Sequence, residues 1–245
     1  MLNLNNIVFF GSNDLARKCL TTINKNFPNS KIFVITKKNY RKARPNVFKY
    51  AKKKRLNIVN IGKITKSKKK FKIGFSIRYH KILTKKIIDK FHHGIVNLHG
   101  GPLPYYRGNA NHIFAILNNE KKFGVTLHYI NQGVDSGNII SRKMFKIAKH
   151  DTGYSLFNKA NSHGYDLVRK FIKKLKSNKL SKGLKQNLKL GRNYKLKDLK
   201  KVQFVNPKEI KSKKIIKTKL RAFYHPSKNS IFLKIKNKKI HLKLK

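Results

Sequence analysis

The chain has 245 residues, 39% of them hydrophobic and 11% aromatic, which is enough apolar matter for a packed interior and too much for a disordered chain. Its one cysteine, Cys19, excludes an internal disulfide framework and any metal or cluster site built from several cysteines. A formal charge of +53, from 61 Lys and Arg against 8 Asp and Glu, attracts polyanions through counterion release. The lysines nevertheless run through every segment together with Asn and Ile, the pattern of compositional drift toward AT-rich codons, whereas a nucleic-acid footprint gathers on one face.

In chain order, Ile7-Val8-Phe9-Phe10 is a continuous apolar run ending at Gly11, the signature of a central parallel strand buried on both faces. A helix should follow, capped by Ser12 or Asn13, with Asp14 in its first turn and Leu15, Cys19, Ile23 and Phe27 at helical spacing before Pro28. Residues 31–36 read as a second strand, 46–55 as a helix, 57–61 and 71–75 as strands, 84–91 as a helix and 94–98 as a strand. This alternation predicts an α/β fold with a mostly parallel sheet covered on both faces. Further on, 110–118 reads as a helix and 124–130 and 138–147 as strands. Residues 151–176 read as a long helix with Leu156, Ala160, Leu167, Phe171 and Leu175 as its buried stripe. The expected division is a domain over 1–176 and a small basic appendage over 177–245. The appendage is Lys- and Asn-rich until two alternating runs, 231–235 and 239–244, which predict a hairpin around Asn237. No leader with a small-residue cleavage site stands at the start, and no run approaches the ~20 apolar residues of a membrane span. A cytoplasmic protein away from membranes is the expectation.

The segment Asn97-Leu98-His99-Gly100-Gly101-Pro102-Leu103-Pro104-Tyr105-Tyr106-Arg107-Gly108 comes directly after a predicted strand. Asn97 and His99 are two apart in extended chain, so their side chains share a face. In open α/β sheets the ligand crevice lies at the carboxyl ends of the strands. A second loop, Asn131-Gln132-Gly133-Val134-Asp135-Ser136-Gly137, holds Asp135 between two glycines. An imidazole that exchanges protons near neutrality, an amide that donates to a developing oxyanion and a carboxylate that orients the imidazole form a set suited to acyl transfer. Taken singly, each motif has a bland reading as ordinary polar structure or an ordinary turn. Gly11-Ser12-Asn13 offers an anion only a generic helix start; His128 reads as a packed or hydrogen-bonded histidine; His92 and His93 point apart on a helix, so they make a poor metal pair.

These two segments, with Gly124-Val125-Thr126-Leu127-His128-Tyr129-Ile130 and Gly133-Val134-Asp135-Ser136-Gly137-Asn138-Ile139-Ile140, together closely resemble the 10-formyltetrahydrofolate-dependent formyltransferase superfamily. The resemblance is strong over 71–147 and faint after 176. It implies a Rossmann-like catalytic domain that uses 10-formyltetrahydrofolate as co-substrate and no metal, with Asn97, His99 and Asp135 as catalytic residues. It further implies folate contacts from Phe75, Ser76, Ile77, Arg78 and Tyr79 and from Asn131, Gln132, Gly133 and Val134. Acceptor contacts would come from Gly100, Gly101, Pro102, Tyr106 and Arg107, the last equally suited to a structural ion pair. Methionyl-tRNA formyltransferases resemble Leu-Leu-Pro-x-Trp-Arg-Gly where this chain has Gly-Pro-Leu-Pro-Tyr-Tyr-Arg-Gly, and they carry a β-barrel for which the segment after 176 is too short. The pieces Tyr194-Lys195-Leu196-Lys197-Asp198-Leu199 and Leu220-Arg221-Ala222-Phe223 look similar to tail elements of sugar N-formyltransferases. The expected acceptor is therefore a nucleotide-linked amino sugar. The alternatives are initiator Met-tRNA, favoured by the charge, and a non-catalytic RNA-binding protein on the same scaffold.

Overall fold

The computed structural model describes residues 4–38, 45–226, 231–235 and 238–242. In its first half the elements are β1 (Asn6–Gly11), α1 (Asp14–Asn26), β2 (Lys31–Ile35), α2 (Val47–Lys53), β3 (Asn57–Ile58), α3 (Ile61–Thr65), β4 (Ile73–Ile77), α4 (Lys85–Ile88) and β5 (Ile95–His99). There follow β6 (Tyr106–Gly108), α5 (Asn111–Leu117), β7 (Lys122–Tyr129), β8 (Ile139–Lys146) and α6 (Gly153–Lys176). The remainder holds β9 (Arg192–Tyr194), α7 (Leu196–Gln203), β10 (Phe204–Val205), α8 (Pro207–Ile210), α9 (Lys213–Phe223), β11 (Ile231–Ile235) and β12 (Lys238–Leu242).

The main sheet has the order β3-β2-β1-β4-β5-β7-β8. It is parallel through β5 and antiparallel from β5 to β8, as expected for a Rossmann-like α/β fold. The apolar run of β1 sits at the centre, with Ile7, Val8, Phe9 and Phe10 all at 0% exposure, because strands on either side and helices above and below leave it no wet face. Asn13 caps α1 by accepting from the Ala16 N–H at 2.9 Å. Ser12, the other candidate cap, is spent internally, its hydroxyl accepting from the Lys37 N–H. The predicted stripe of α6 is buried in full: Leu156, Ala160, Leu167, Phe171 and Leu175 pack into the larger core cluster.

Several boundaries move for physical reasons. The strand expected over 57–61 stops at Ile58, since Asn60 accepts from the Lys63 N–H and turns the chain into α3. The strand expected over 71–75 becomes β4, because Ile73–Ile77 pairs with both β1 and β5, whereas Phe71 makes an isolated bridge to Phe91. The tail holds more order than its composition suggested. α9 buries Leu220, Ala222 and Phe223, and β10 lies beside β11 in a small sheet. β11 and β12 pair antiparallel as the expected hairpin; Asn237 lies outside the described residues. Among the described residues no helix is long and apolar enough to cross a membrane.

Candidate active site

β5 ends at His99, with its hydrogen bonds drawn from β4 on one side and β7 on the other. Asn97 and His99 therefore leave one face of a strand that is fixed from both edges. Directly opposite Asn97 in the antiparallel register stands His128. The Asn97 Nδ2 donates to His128 Nε2 at 3.0 Å, and His128 Nδ1 lies 2.8 Å from the Tyr129 carbonyl. His128 thus engages one N–H of the Asn97 amide and is itself held by the Tyr129 carbonyl. A one-residue register shift falls between Leu127 and His128, the kind of bulge that re-aims a side chain next to a site.

Asp135 reaches this strand end from far away. The Ile130 N–H donates to the Ile95 carbonyl at 2.8 Å, so the loop leaves from the opening end of β5 and folds back over the sheet to reach its closing end. Asp135 sits at φ 49°, a left-handed conformation that Asp tolerates better than most residues. Its Oδ2 accepts from the Gly108 N–H at 2.8 Å and lies 3.3 Å from His99 Nδ1, and its Oδ1 lies 3.6 Å from His128 Nε2. The asparagine, histidine and aspartate thus meet at one place.

His99 is 6% exposed. Its Nε2 lies 2.6 Å from the Tyr106 carbonyl and 2.9 Å from the Asn111 amide nitrogen, so that nitrogen can donate to the first or accept from the second. Either tautomer is thereby accommodated, and a proton on Nδ1 faces Asp135. Burial holds the His99 pKa below the ordinary histidine value; Asp135 works against this, while His128 and Arg78 add to it. For Asp135 burial pushes the pKa up, but His99, His128 and the Gly108 N–H outweigh it and bring the carboxyl down to about 2. The resting pair is a carboxylate beside a neutral imidazole, which together can accept a proton. The close approach needs Gly101: a Cβ there would stand 2.7 Å from the Tyr106 carbonyl oxygen and 2.9 Å from His99 Nε2.

The other residues expected in the site divide. Phe75, Ser76 and Ile77 are buried in β4, 0%, 5% and 0% exposed, with their peptides in the sheet ladders. Arg78 and Tyr79 come just beyond the end of the strand. Arg78 donates to Asn161 at 2.7 Å and covers the Phe157 ring, and its guanidinium crowds the space beside Gly100. Asn131, Gln132, Gly133 and Val134 are all exposed on the rim beside Asp135. Tyr106 and Pro102, both expected near the acceptor, are buried. The Tyr106 hydroxyl donates to Glu120 at 2.7 Å and its ring stacks on Tyr194. Arg107 donates to the carbonyls of Leu188 and Gly191, each at 3.2 Å; its observed bonds are to the chain's own backbone, not to an acid.

Sequence reasoning passed over Asn111, which is 3% exposed against His99, and Gln186, whose amide donates to the carbonyls of Asp135 and Gly137. The cross-strand partnership of His128 was also hidden, since it depends on a register the linear sequence does not display.

The model of the formyl transferase family matches residues 5–172. A methionyl-tRNA formyltransferase of Finegoldia magna is 30% identical over 181 residues, covering 69% of this chain and 58% of that protein. A methionyl-tRNA formyltransferase of Fusobacterium nucleatum is 36% identical over 46% of this chain, a stretch that spans only 36% of its own length. Among solved structures, the N-formyltransferase of Helicobacter canadensis in complex with folinic acid and dTDP-3-aminofucose superposes with TM-score 0.79 at 28% identity, covering 97% of this chain and 86% of that one. WlaRD, a sugar 3N-formyl transferase solved in the presence of dTDP and 5-N-formyl-THF, gives 0.80 at 30% identity, with 97% and 85% covered.

Proposed function

Because the chain belongs to the formyl transferase family, we propose that it moves a formyl group from 10-formyltetrahydrofolate to a primary amine, using Asn97, His99 and Asp135. The observation that carries this reading is the meeting of His99 Nδ1 and Asp135 Oδ2 at 3.3 Å beside Asn97. The amine attacks the formyl carbon, and the carbonyl oxygen takes up negative charge. The second N–H of Asn97 donates to that oxygen, and the proton lost by the amine passes through the Asp135 carboxylate to the His99–Asp135 pair, whose imidazolium adds positive charge beside the oxyanion. Collapse expels the folate nitrogen, which regains a proton. The folate would lie between Arg78 and Tyr79 and the exposed rim of residues 131–134. That rim combines exposed peptide groups and the amides of Asn131 and Gln132 with the apolar Val134, 46% exposed, a donor and acceptor set suited to a flat heterocycle.

For the acceptor, a nucleotide-linked amino sugar is the preferred class. It is supported by likeness along 97% of the chain, tail included, to an N-formyltransferase described with dTDP-3-aminofucose and a sugar 3N-formyl transferase described with dTDP. The second reading, initiator Met-tRNA, is favoured by the +53 charge and by the curated relatives. Incubation with 10-formyltetrahydrofolate and either a panel of nucleotide amino sugars or methionine-charged initiator tRNA separates them. Formylation of the sugars is expected; formylation of the tRNA alone overturns the preferred acceptor, and formylation of neither removes the activity.

A further inference from the structure

The loop that presents Asp135 is held by a residue 51 positions later. Gln186 is 8% exposed, and its Nε2 lies 3.0 Å from the Asp135 carbonyl oxygen and 2.6 Å from that of Gly137. Only the nitrogen end of an amide can sit so close to two carbonyl oxygens, so the orientation is fixed and both N–H groups are spent. The Oε1 at the other end is buried without a hydrogen-bond partner. A buried, unpaired amide oxygen is destabilising; Leu or Met would fill the same volume without that cost. What distinguishes glutamine here is the pair of donors.

The placement of Gln186 follows from the edge of the sheet. Leu184 and Ile139 exchange backbone hydrogen bonds at 2.8 Å each way. Two residues farther along this antiparallel register, Gln186 comes opposite Gly137, and its side chain does what a neighbouring strand's backbone would do. Gly137 cannot adjust by taking a side chain, because a Cβ would collide with the Tyr129 carbonyl. The loop's other ties are largely local: Asn131 Oδ1 accepts from the Gly133 N–H and from the Ser136 hydroxyl, at 3.2 and 2.7 Å.

We propose that Gln186 is a positioning residue for formyl transfer, its amide fixing the Asp135–Gly137 backbone so that the carboxylate meets His99. The inference rests on the reading that His99 and Asp135 carry the reaction. It makes the stretch after α6 part of the catalytic unit, joined there by the Arg107 contacts to Leu188 and Gly191 and by the pairing of β6 with β9.

The test uses full-length Gln186→Leu and Gln186→Glu. In the first, kcat should fall by about 30- to 100-fold, as a carboxylate displaced by ~1 Å implies, while both KM values stay within about threefold and the melting temperature changes little. In the second, an acceptor faces two carbonyls unless the carboxyl is protonated. Its activity relative to wild type should therefore rise as pH falls from about 8 to about 6. If Gln186→Leu does not fold, the pH profile of Gln186→Glu decides. Unchanged kcat in both variants, or a loss of melting temperature with full turnover per folded molecule, overturns the proposal. Should wild type formylate no amine, the functional reading falls, and the His99 imidazole resonances judge the positioning separately. A displaced His99 titration in Gln186→Leu supports it, and an unchanged one overturns it.

Discussion

The two halves of the site are held in opposite ways. Asn97 and His99 stand on a strand hydrogen-bonded along both edges, so the same sheet that buries the core sets their direction. Asp135 stands on a loop with exposed residues before it and takes its position from Gly108 and Gln186, contributed by two separate stretches of chain. A group on a central strand inherits precision from the fold, whereas a group on a loop must be tied down by residues that no local pattern announces.

That contrast can be tested by breaking each half in turn. The largest effect is expected from His99→Ala, which removes the proton-accepting imidazole: turnover should drop by about 10⁴-fold, with the circular dichroism spectrum retained. Asp135→Asn keeps the loop's shape and removes the charge, so a loss of about 10³-fold in kcat is expected, with the His99 titration moving downward by NMR because its opposing charge has gone. If the double variant is no worse than His99→Ala alone, the two act as one unit.

A smaller effect, about 10²-fold in kcat, is expected from Gly137→Ala, where the added methyl meets the Tyr129 carbonyl and must move the Asp135 loop. Steady-state kinetics should show the loss in kcat more than in KM, with the melting temperature lowered only modestly. A Gly137→Ala enzyme at full rate would show that the loop tolerates slack. The smallest effect concerns acid. On α5, behind the strand half of the site, burial brings His112 from 6.5 down to about 3, with Arg78 adding to the shift. On the loop side, Asp135 stays ionised down to about 2. A histidine with a depressed folded pKa takes up its proton more readily when unfolded, so stability is lost as pH falls below 6.5 toward 3. His112→Asn should reduce the drop in melting temperature between about pH 7 and pH 5 by ~2–4 °C, as followed by calorimetry.

The same contrast explains what the sequence displayed. The central strands were plain because burial on both faces writes itself as unbroken apolar runs such as Ile7–Phe10, and the pairing of Asn97 with His99 followed from the two-residue period of a strand. The meeting with Asp135 came from a family resemblance, not from periodicity, because the loop doubles back against the direction that strand order suggests. Gln186 and Asn111 carried no signal, since an amide that bonds a distant backbone looks like any surface amide until the chain is folded. The order after Lys176 was missed for a related reason. α9 buries one side only, with lysines at Lys213, Lys214 and Lys217, and a lysine-rich composition masks a narrow apolar stripe.

The last place of β8 in the sheet order gives the excess of positive charge a use unrelated to substrate. Past its bridge to Leu184, this eight-residue strand has, among the described residues, a strand partner only on its β7 side, and a long open edge is a template on which another polypeptide can add. Arg142, Lys143 and Lys146 are exposed along it, so a second molecule approaching edge-on meets like charge before it meets free peptide groups. The lysine-rich bias thereby guards against intermolecular strand addition, a protection that high salt would screen.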